Sequence, residues 1–67
     1  MRIFSQDETV DMLYDNAIIL RNEYTIYGVV PERQTRMLAH YPDESKAIIA
    51  MNLLHEAYYR GDKTFRF

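Results

Sequence analysis

Five short apolar runs precede residue 42, and after it the apolar residues recur with a helical period. The runs at 2–5, 9–14, 17–21, 24–30 and 35–41 are each bounded by polar turn residues, a pattern that predicts strands. A helix is predicted over 43–60 and a short strand over 64–67. This order of elements is typical of an α+β domain.

The strand runs differ in the number of faces that they are predicted to bury. Residues 9–14 alternate, with Val10, Met12 and Tyr14 on one face. Residues 17–21 are apolar and β-branched without alternation, which predicts a central strand buried on both faces. Gly28 inside the fourth run indicates a bulge or a close backbone approach. Connections of two to four residues favour antiparallel neighbours, and hence a meander.

The predicted helix has a start, an apolar face and an end. Asp43 is placed to cap its first turn, and Gly61 to end it in a left-handed conformation. One face carries the apolar residues Ala47, Ala50, Met51, Leu54 and Tyr58. The helix is therefore expected to pack on one face of the sheet.

Together these elements predict a single α+β domain over 1–67. It consists of an antiparallel meander of about five strands, one C-terminal amphipathic helix packed on a face, and a short terminal strand. The residues expected in its core are Val10, Met12, Ile18, Leu20, Ile26, Leu38, Met51 and Leu54.

Length and composition limit how such a domain is stabilised. A chain of 67 residues buries only about 60% of its unfolded surface. Cysteine is absent, so disulfides and thiolate metal sites are excluded, while oligomerisation or partner binding remains. A net charge of -2 gives no general attraction to nucleic acid or anionic lipid. We expect neither a signal peptide nor a membrane span. We expect a cytoplasmic location.

Two blocks of residues carry a resemblance to known proteins. The first is Met1-Arg2-Ile3-Phe4-Ser5-Gln6-Asp7, with Thr9-Val10-Asp11 and the corner Tyr14-Asp15-Asn16. The second is Leu38-Ala39-His40-Tyr41, then Glu44, Lys46-Ala47, Ala50-Met51, Leu54 and Glu56-Ala57-Tyr58, with Phe65-Arg66-Phe67 as the closing strand. Both resemble a group of small uncharacterised proteins of Gram-positive bacteria and their phages or prophages. The shared motifs are a turn, a cap and a helix face, so no catalytic residue is implied.

Three positions depart from that group's pattern. Glu8 replaces a glycine, so a turn with easy positive φ is expected to be lost and the first hairpin register to be less certain. Leu13 replaces a proline, and Pro42 replaces a capping serine, which moves the cap to Asp43 or places proline in the first turn. The phage and prophage setting implied by the resemblance favours a role against or alongside host machinery, for example as an anti-CRISPR or other anti-defence protein.

Candidate catalytic and metal-binding residues are few. His40 and His55 could share a metal with Asp43 or Glu44, but their spacing is not that of a ligand set, so surface histidines are favoured. Ser5 and Ser45 have no evident base or oxyanion site. No catalytic, cofactor-binding or metal-binding residue is therefore assigned, and enzyme activity is not expected.

Two charged regions have alternative interpretations. The first contains Asp7, Glu8, Asp11 and Asp15, which suit either a DNA-mimicking or basic-protein-binding patch or a solvated edge hairpin, and the hairpin is favoured. In the second, Arg21, Arg33 and Arg36 with Tyr24 and Tyr27 could contact phosphate and bases. The negative net charge weighs against a nucleic-acid partner, although such a domain remains the alternative function.

The helix carries more apolar residues than one face can hide. Ile48, Ile49, Leu53 and Tyr59 fall outside the predicted core face. A group of exposed apolar residues on one helix marks an interface or an unusually broad core. We therefore expect a non-enzymatic protein-binding module that contacts a partner, or a second copy, through Ile48, Ile49 and Tyr59.

Overall fold

The computed structural model describes residues 1–31 and 34–67. Each predicted strand and the helix forms within two residues of its expected bounds. The strands are β1 Arg2–Phe4, β2 Asp11–Leu13, β3 Ile18–Asn22, β4 Thr25–Val29, β5 Thr35–His40 and β6 Thr64–Arg66. The helix α1 spans Glu44–Arg60, and a turn of 3₁₀ helix at Tyr14–Asn16 separates β2 from β3.

The strands form two three-stranded sheets, so the prediction of a single five-stranded meander is wrong. One sheet has the order β2-β1-β6 and the other the order β3-β4-β5, which alone is a meander. β6 pairs in parallel with β1, placing Phe65 opposite Ile3. The 3₁₀ turn redirects the chain after β2, and Gln6 joins the sheets through a 2.7 Å bond from its N–H to the Leu38 carbonyl.

Helix α1 lies along β3 and runs in the opposite direction. At its start the Asp43 carboxylate accepts a bond from the Lys46 N–H, and at its end Gly61 adopts a φ of 86°. Its buried residues are Ala47, Ala50, Leu54 and Ala57. Glu44 pairs with Arg21 at the end of β3, whereas Tyr58 stacks on Tyr14 just before β3 begins. We call the helix-facing side of the β3-β4-β5 sheet its inner face, and the opposite side its outer face.

The core joins residues from both sheets and the helix. Its buried members are Ile3, Met12, Ile26, Leu38, Ala39, Ala50 and Leu54, with Val10 and Met51 partly buried against them. Ile18 and Leu20 were expected there but are 60% and 39% exposed. β3 is an edge strand with no neighbour on its free side among the described residues, and these two residues point to the outer face. The prediction of a central strand buried on both faces is therefore wrong for β3.

Gly28 marks a close approach between the two sheets. A Cβ atom added there would lie 2.7 Å from the Met12 Cε and 3.1 Å from the Leu38 Cδ1. The irregularity in the sheet lies elsewhere, at a register shift between Ile26 and Tyr27. Of the two alternatives for Gly28, the structure has the close approach.

The first hairpin keeps a positive-φ turn despite its glutamate. Glu8 has a φ of 63°, so the expectation that this turn is lost is wrong. The register is also defined, with Ile3 opposite Met12. The Glu8 carboxylate accepts a 2.6 Å bond from Arg66, which holds the side chain over β6.

Candidate functional site

The two histidines lie apart, in different surroundings. The His40 Nδ1 lies 3.1 Å from the Thr25 hydroxyl, and the ring meets Tyr24 edge-on with centroids 5.2 Å apart. His55 is exposed on α1. Within residues 1–31 and 34–67, no group of three His, Cys, Asp or Glu side chains could hold a metal ion.

Both serines take part in turns. The buried Ser5 hydroxyl donates a 2.8 Å bond to Asp7 and accepts one from the Val10 N–H. The Thr9 hydroxyl and N–H also donate to the Asp7 carboxylate, and these bonds, with that from Ser5, lower its pKa. The Ser45 hydroxyl donates to the capping carboxylate of Asp43. These contacts build the first hairpin and the helix cap.

Each carboxylate of the acidic N-terminal region has a partner in the chain. Asp7 accepts the bonds just described, Glu8 pairs with Arg66, and Asp11 pairs with Arg2. A hydrogen bond to Asp15 raises the pKa of the Tyr58 hydroxyl. Because two of the four charges, those of Glu8 and Asp11, are paired with arginines, this region matches a solvated hairpin better than a mimic of a phosphate backbone.

The arginines expected to contact nucleic acid do not form one described cluster. Arg21 is engaged with Glu44 at 2.8 Å and with the Glu23 carbonyl at 2.7 Å. Arg36 is exposed and lines an open groove of about 490 Å³, whose other lining residues are Thr9, Val10, Asp11, Met12, Val30 and Gln34. Arg33 lies outside the described residues. Among the described residues that line this groove, the charged ones are Asp11 and Arg36, of opposite sign.

The outer surface of α1 is where the structure leaves large apolar side chains in solvent. Ile48, Ile49 and Tyr59, the residues expected to bind a partner, are 40%, 57% and 86% exposed, and Leu53 is 51% exposed. Sequence analysis located this surface because its residues lie out of phase with the buried face.

The structure divides these residues between two flanks of the helix. Ile48 follows Glu44 by one turn, and the Tyr59 ring meets the Tyr58 ring edge-on with centroids 6.0 Å apart, so both border the side that contacts β3 and the turn before it. Ile49 and Leu53 are one turn apart on the other flank. We call the first pair the β3-side flank and the second the far flank.

The outer face of the β3-β4-β5 sheet is a second apolar surface. Leu20, Tyr27 and Met37 lie opposite one another across the three strands, and Ile18 lies opposite Val29 in the next row. Met37 is 54% exposed. Sequence analysis missed this surface because an apolar run gives no sign of whether its cover comes from the same chain.

Comparison with known proteins adds no relative to this picture. No protein-family model, curated protein or solved structure matches the chain. In the described residues, no helix is both long and apolar enough to cross a membrane. The surfaces themselves are therefore the basis for any functional proposal.

Proposed function

We propose that this chain is a non-enzymatic protein-binding module that docks a host protein on the outer surface of α1. One observation carries the proposal: Ile48, Ile49, Leu53 and Tyr59 remain exposed on a helix whose other face is packed. Isolated exposed apolar residues are common, whereas several on one rigid element are typical of an interface. Binding would act by covering a surface of the partner, without a covalent step.

The chemistry of this surface defines the partner that it suits. Aliphatic and tyrosine side chains suit an apolar groove, and the neighbouring Lys46, Glu56 and Arg60 supply a charged rim. The resemblance to phage and prophage proteins supports a cytoplasmic host protein as the target, with anti-CRISPR or other anti-defence activity as the biological role. A helix seated in a groove is a common mode of such recognition.

A matched pair of lysine substitutions tests the proposal. Ile49→Lys changes the far flank, and Met37→Lys changes the outer face of the sheet, a residue of similar size and exposure that is not on the helix. With the partner captured from host lysate, identified and purified, Ile49→Lys is expected to weaken its affinity about 100-fold. Met37→Lys should leave the affinity unchanged.

The salt dependence separates the two classes of partner. An apolar protein interface should persist from about 0.1 M to about 0.5 M salt, whereas contacts to phosphate weaken steeply over that range. Equal affinity of wild type and Ile49→Lys for the purified partner would contradict the proposal. So would capture of nucleic acid that is lost as salt rises.

A further inference from the structure

Four strands lie at sheet edges in the described part of the chain, and three of them are short or covered. β2 and β6 have only three residues each. The edge of β5 is covered in part by Gln6, whose N–H donates to the Leu38 carbonyl and whose side-chain oxygen accepts from the His40 N–H at 2.9 Å. β3 is the exception, with five residues and no strand beyond it among those described.

The backbone groups of Ile19 and Arg21 point away from the sheet. The Tyr41 N–H bonds to the Tyr24 carbonyl, so the backbone of Tyr24 faces β5 and that of the next residue, Thr25, faces β3. Thr25 lies opposite Asn22, and hydrogen-bonded pairs alternate along an antiparallel ladder. Asn22, Leu20 and Ile18 therefore bond to β4, while Ile19 and Arg21 present free N–H and C=O groups at the edge.

β3 has only one of the features that protect sheet edges from pairing, the inward-pointing charge of Arg21. Natural edge strands carry lysine, proline, bulges or inward-pointing charges. β3 has the sequence Ile-Ile-Leu-Arg-Asn, and its register with β4 is regular. The charge of Arg21 is engaged by Glu44 on the inner face. An open edge with apolar residues on both sides suits a strand that another strand covers.

The β3-side flank of α1 borders the same edge. Glu44, Ile48, His55 and Tyr59 follow one another at intervals of four, seven and four residues, so they form one stripe along the helix. Glu44 anchors this stripe to Arg21 on β3. A strand added to β3 would lie beside Ile48 and Tyr59 below the sheet, and beside Ile18 and Leu20 above it.

We propose that a second copy of this chain docks on β3, with the two β3 strands antiparallel about a two-fold axis. Each three-stranded sheet then continues into the other, and the β3-side flanks of the two helices face one another below it. The contact is isologous, because the same edge, stripe and outer-face residues are contributed by both copies. A partner strand of this kind makes β3 the central strand that its sequence is typical of.

The register follows from the outward groups and the charges. Pairing Leu20 with Leu20 of the second copy places Ile19 opposite Arg21 on both sides, so every outward group of these two residues is paired. A register centred on Arg21 would oppose two guanidinium groups. One centred on Ile19 would place Arg21 opposite Ala17, whose N–H already bonds to the Tyr14 carbonyl at 3.3 Å.

A second copy fits better than an unrelated strand because this pairing closes. Both copies use up their β3 edge, and the joined sheet ends on each side at a β5 edge that Gln6 covers at Leu38 and His40. Association therefore stops at a dimer and does not continue into a fibre. The far flank, with Ile49 and Leu53, stays exposed in the dimer, so the host protein proposed above docks there, while Ile48 and Tyr59 face the second copy.

Single cysteines test the register, because the chain has no cysteine of its own. Leu20→Cys should form a disulfide-linked dimer in a glutathione redox buffer, since directly opposed residues that are not hydrogen-bonded have close Cβ atoms. Met37→Cys is the control, on the same outer face but on the covered edge strand. Equal cross-linking of the two variants, seen on non-reducing gels, would overturn the proposal.

Lysine substitutions test the dimer without a covalent link. Wild type should sediment as a dimer, and Leu20→Lys should raise the dimer dissociation constant on the order of 100-fold, because two like charges are brought together at the axis. Met37→Lys should leave this constant unchanged. Circular dichroism checks that both variants are folded.

A monomeric wild type at about 0.5 mM, a concentration well above ordinary dimer dissociation constants, would overturn the proposal. Loss of the dimer in Leu20→Lys with host-protein binding retained separates this proposal from the proposed function.

Discussion

Helix α1 and strand β3 are both rich in apolar residues, but these residues differ in how far they are buried. α1 hides one face against the core, with Ala47, Ala50 and Leu54 buried. β3 has apolar residues on both sides, yet Ile18 and Leu20 remain exposed and Ile19 is only partly buried. The period of a helix identifies which side the rest of the chain covers. A continuous apolar strand indicates two covered sides without indicating which chain covers them.

The largest expected change in folding stability comes from truncating a buried residue of the helix. Leu54 is fully buried, so Leu54→Ala should lower the free energy of unfolding by about 2–5 kcal/mol. Ile18→Ala removes a side chain that is 60% exposed and should cost less than about 0.5 kcal/mol in the monomer. Urea denaturation in the Leu20→Lys background measures both without a contribution from dimerisation.

The outcome that would contradict this prediction is a similar cost for both substitutions. Ile18 would then be covered within the chain, and the outer face of the sheet would not be a free surface. A negligible cost for Leu54→Ala would mean instead that the buried side of α1 is assigned incorrectly.

The predictable part of the fold is the part that local signals determine. Asp43 and Gly61 marked the two ends of α1, and polar turns marked the strands. The division into two sheets depends on the parallel pairing of β1 with β6, which joins opposite ends of the chain. No local pattern encodes that pairing, and a meander was the simplest arrangement of short connections.

The candidate site was predictable to a similar degree. Helical phase alone indicated that Ile48, Ile49 and Tyr59 lie outside the packed face, and the structure leaves all three exposed. Their separation into two flanks depends on which side of α1 meets β3, through Glu44 and Tyr58. Those contacts are tertiary. The edge position of β3 is also tertiary, so neither feature is visible in a strand's own residues.

A smaller effect is expected where the inner face of the sheet is most tightly packed. Gly28→Ala places a methyl group against the Met12 thioether and 3.1 Å from the Leu38 Cδ1. We expect a cost of about 1–3 kcal/mol, toward the lower value if the flexible Met12 end moves aside. The measurement is the free energy of unfolding by urea.

A double-mutant cycle identifies the cause of that cost. In the Met12→Ala background the added methyl group has space, so Gly28→Ala should cost less there by about 0.5–2 kcal/mol. Additive effects would show that the contact with Leu38, and not the contact with Met12, sets the cost.

The smallest predicted effect compares the turns that begin β2 and β4. Glu8 and Glu23 have φ values of 63° and 55°, a conformation that costs a non-glycine residue about 1–2 kcal/mol. Glycine removes this cost but increases the entropy lost on folding by about 0.4–1 kcal/mol. Glu23→Gly should therefore stabilise the chain by about 0.5–1 kcal/mol, as measured by urea denaturation.

Glu8→Gly should gain less, because it also loses the exposed ion pair with Arg66, worth about 0–1 kcal/mol. Arg66→Ala in wild type and in Glu8→Gly isolates that pair as the difference between its two costs, because the contact of Arg66 with the Phe4 ring, 4.3 Å from its centroid, is lost in both. The Glu23 turn sets the register of β3 on β4, and glycine keeps this turn. Glu23→Gly should therefore leave the dimer dissociation constant unchanged. A weaker dimer with a more stable monomer would mean that the turn, and not the edge of β3 alone, contacts the second copy.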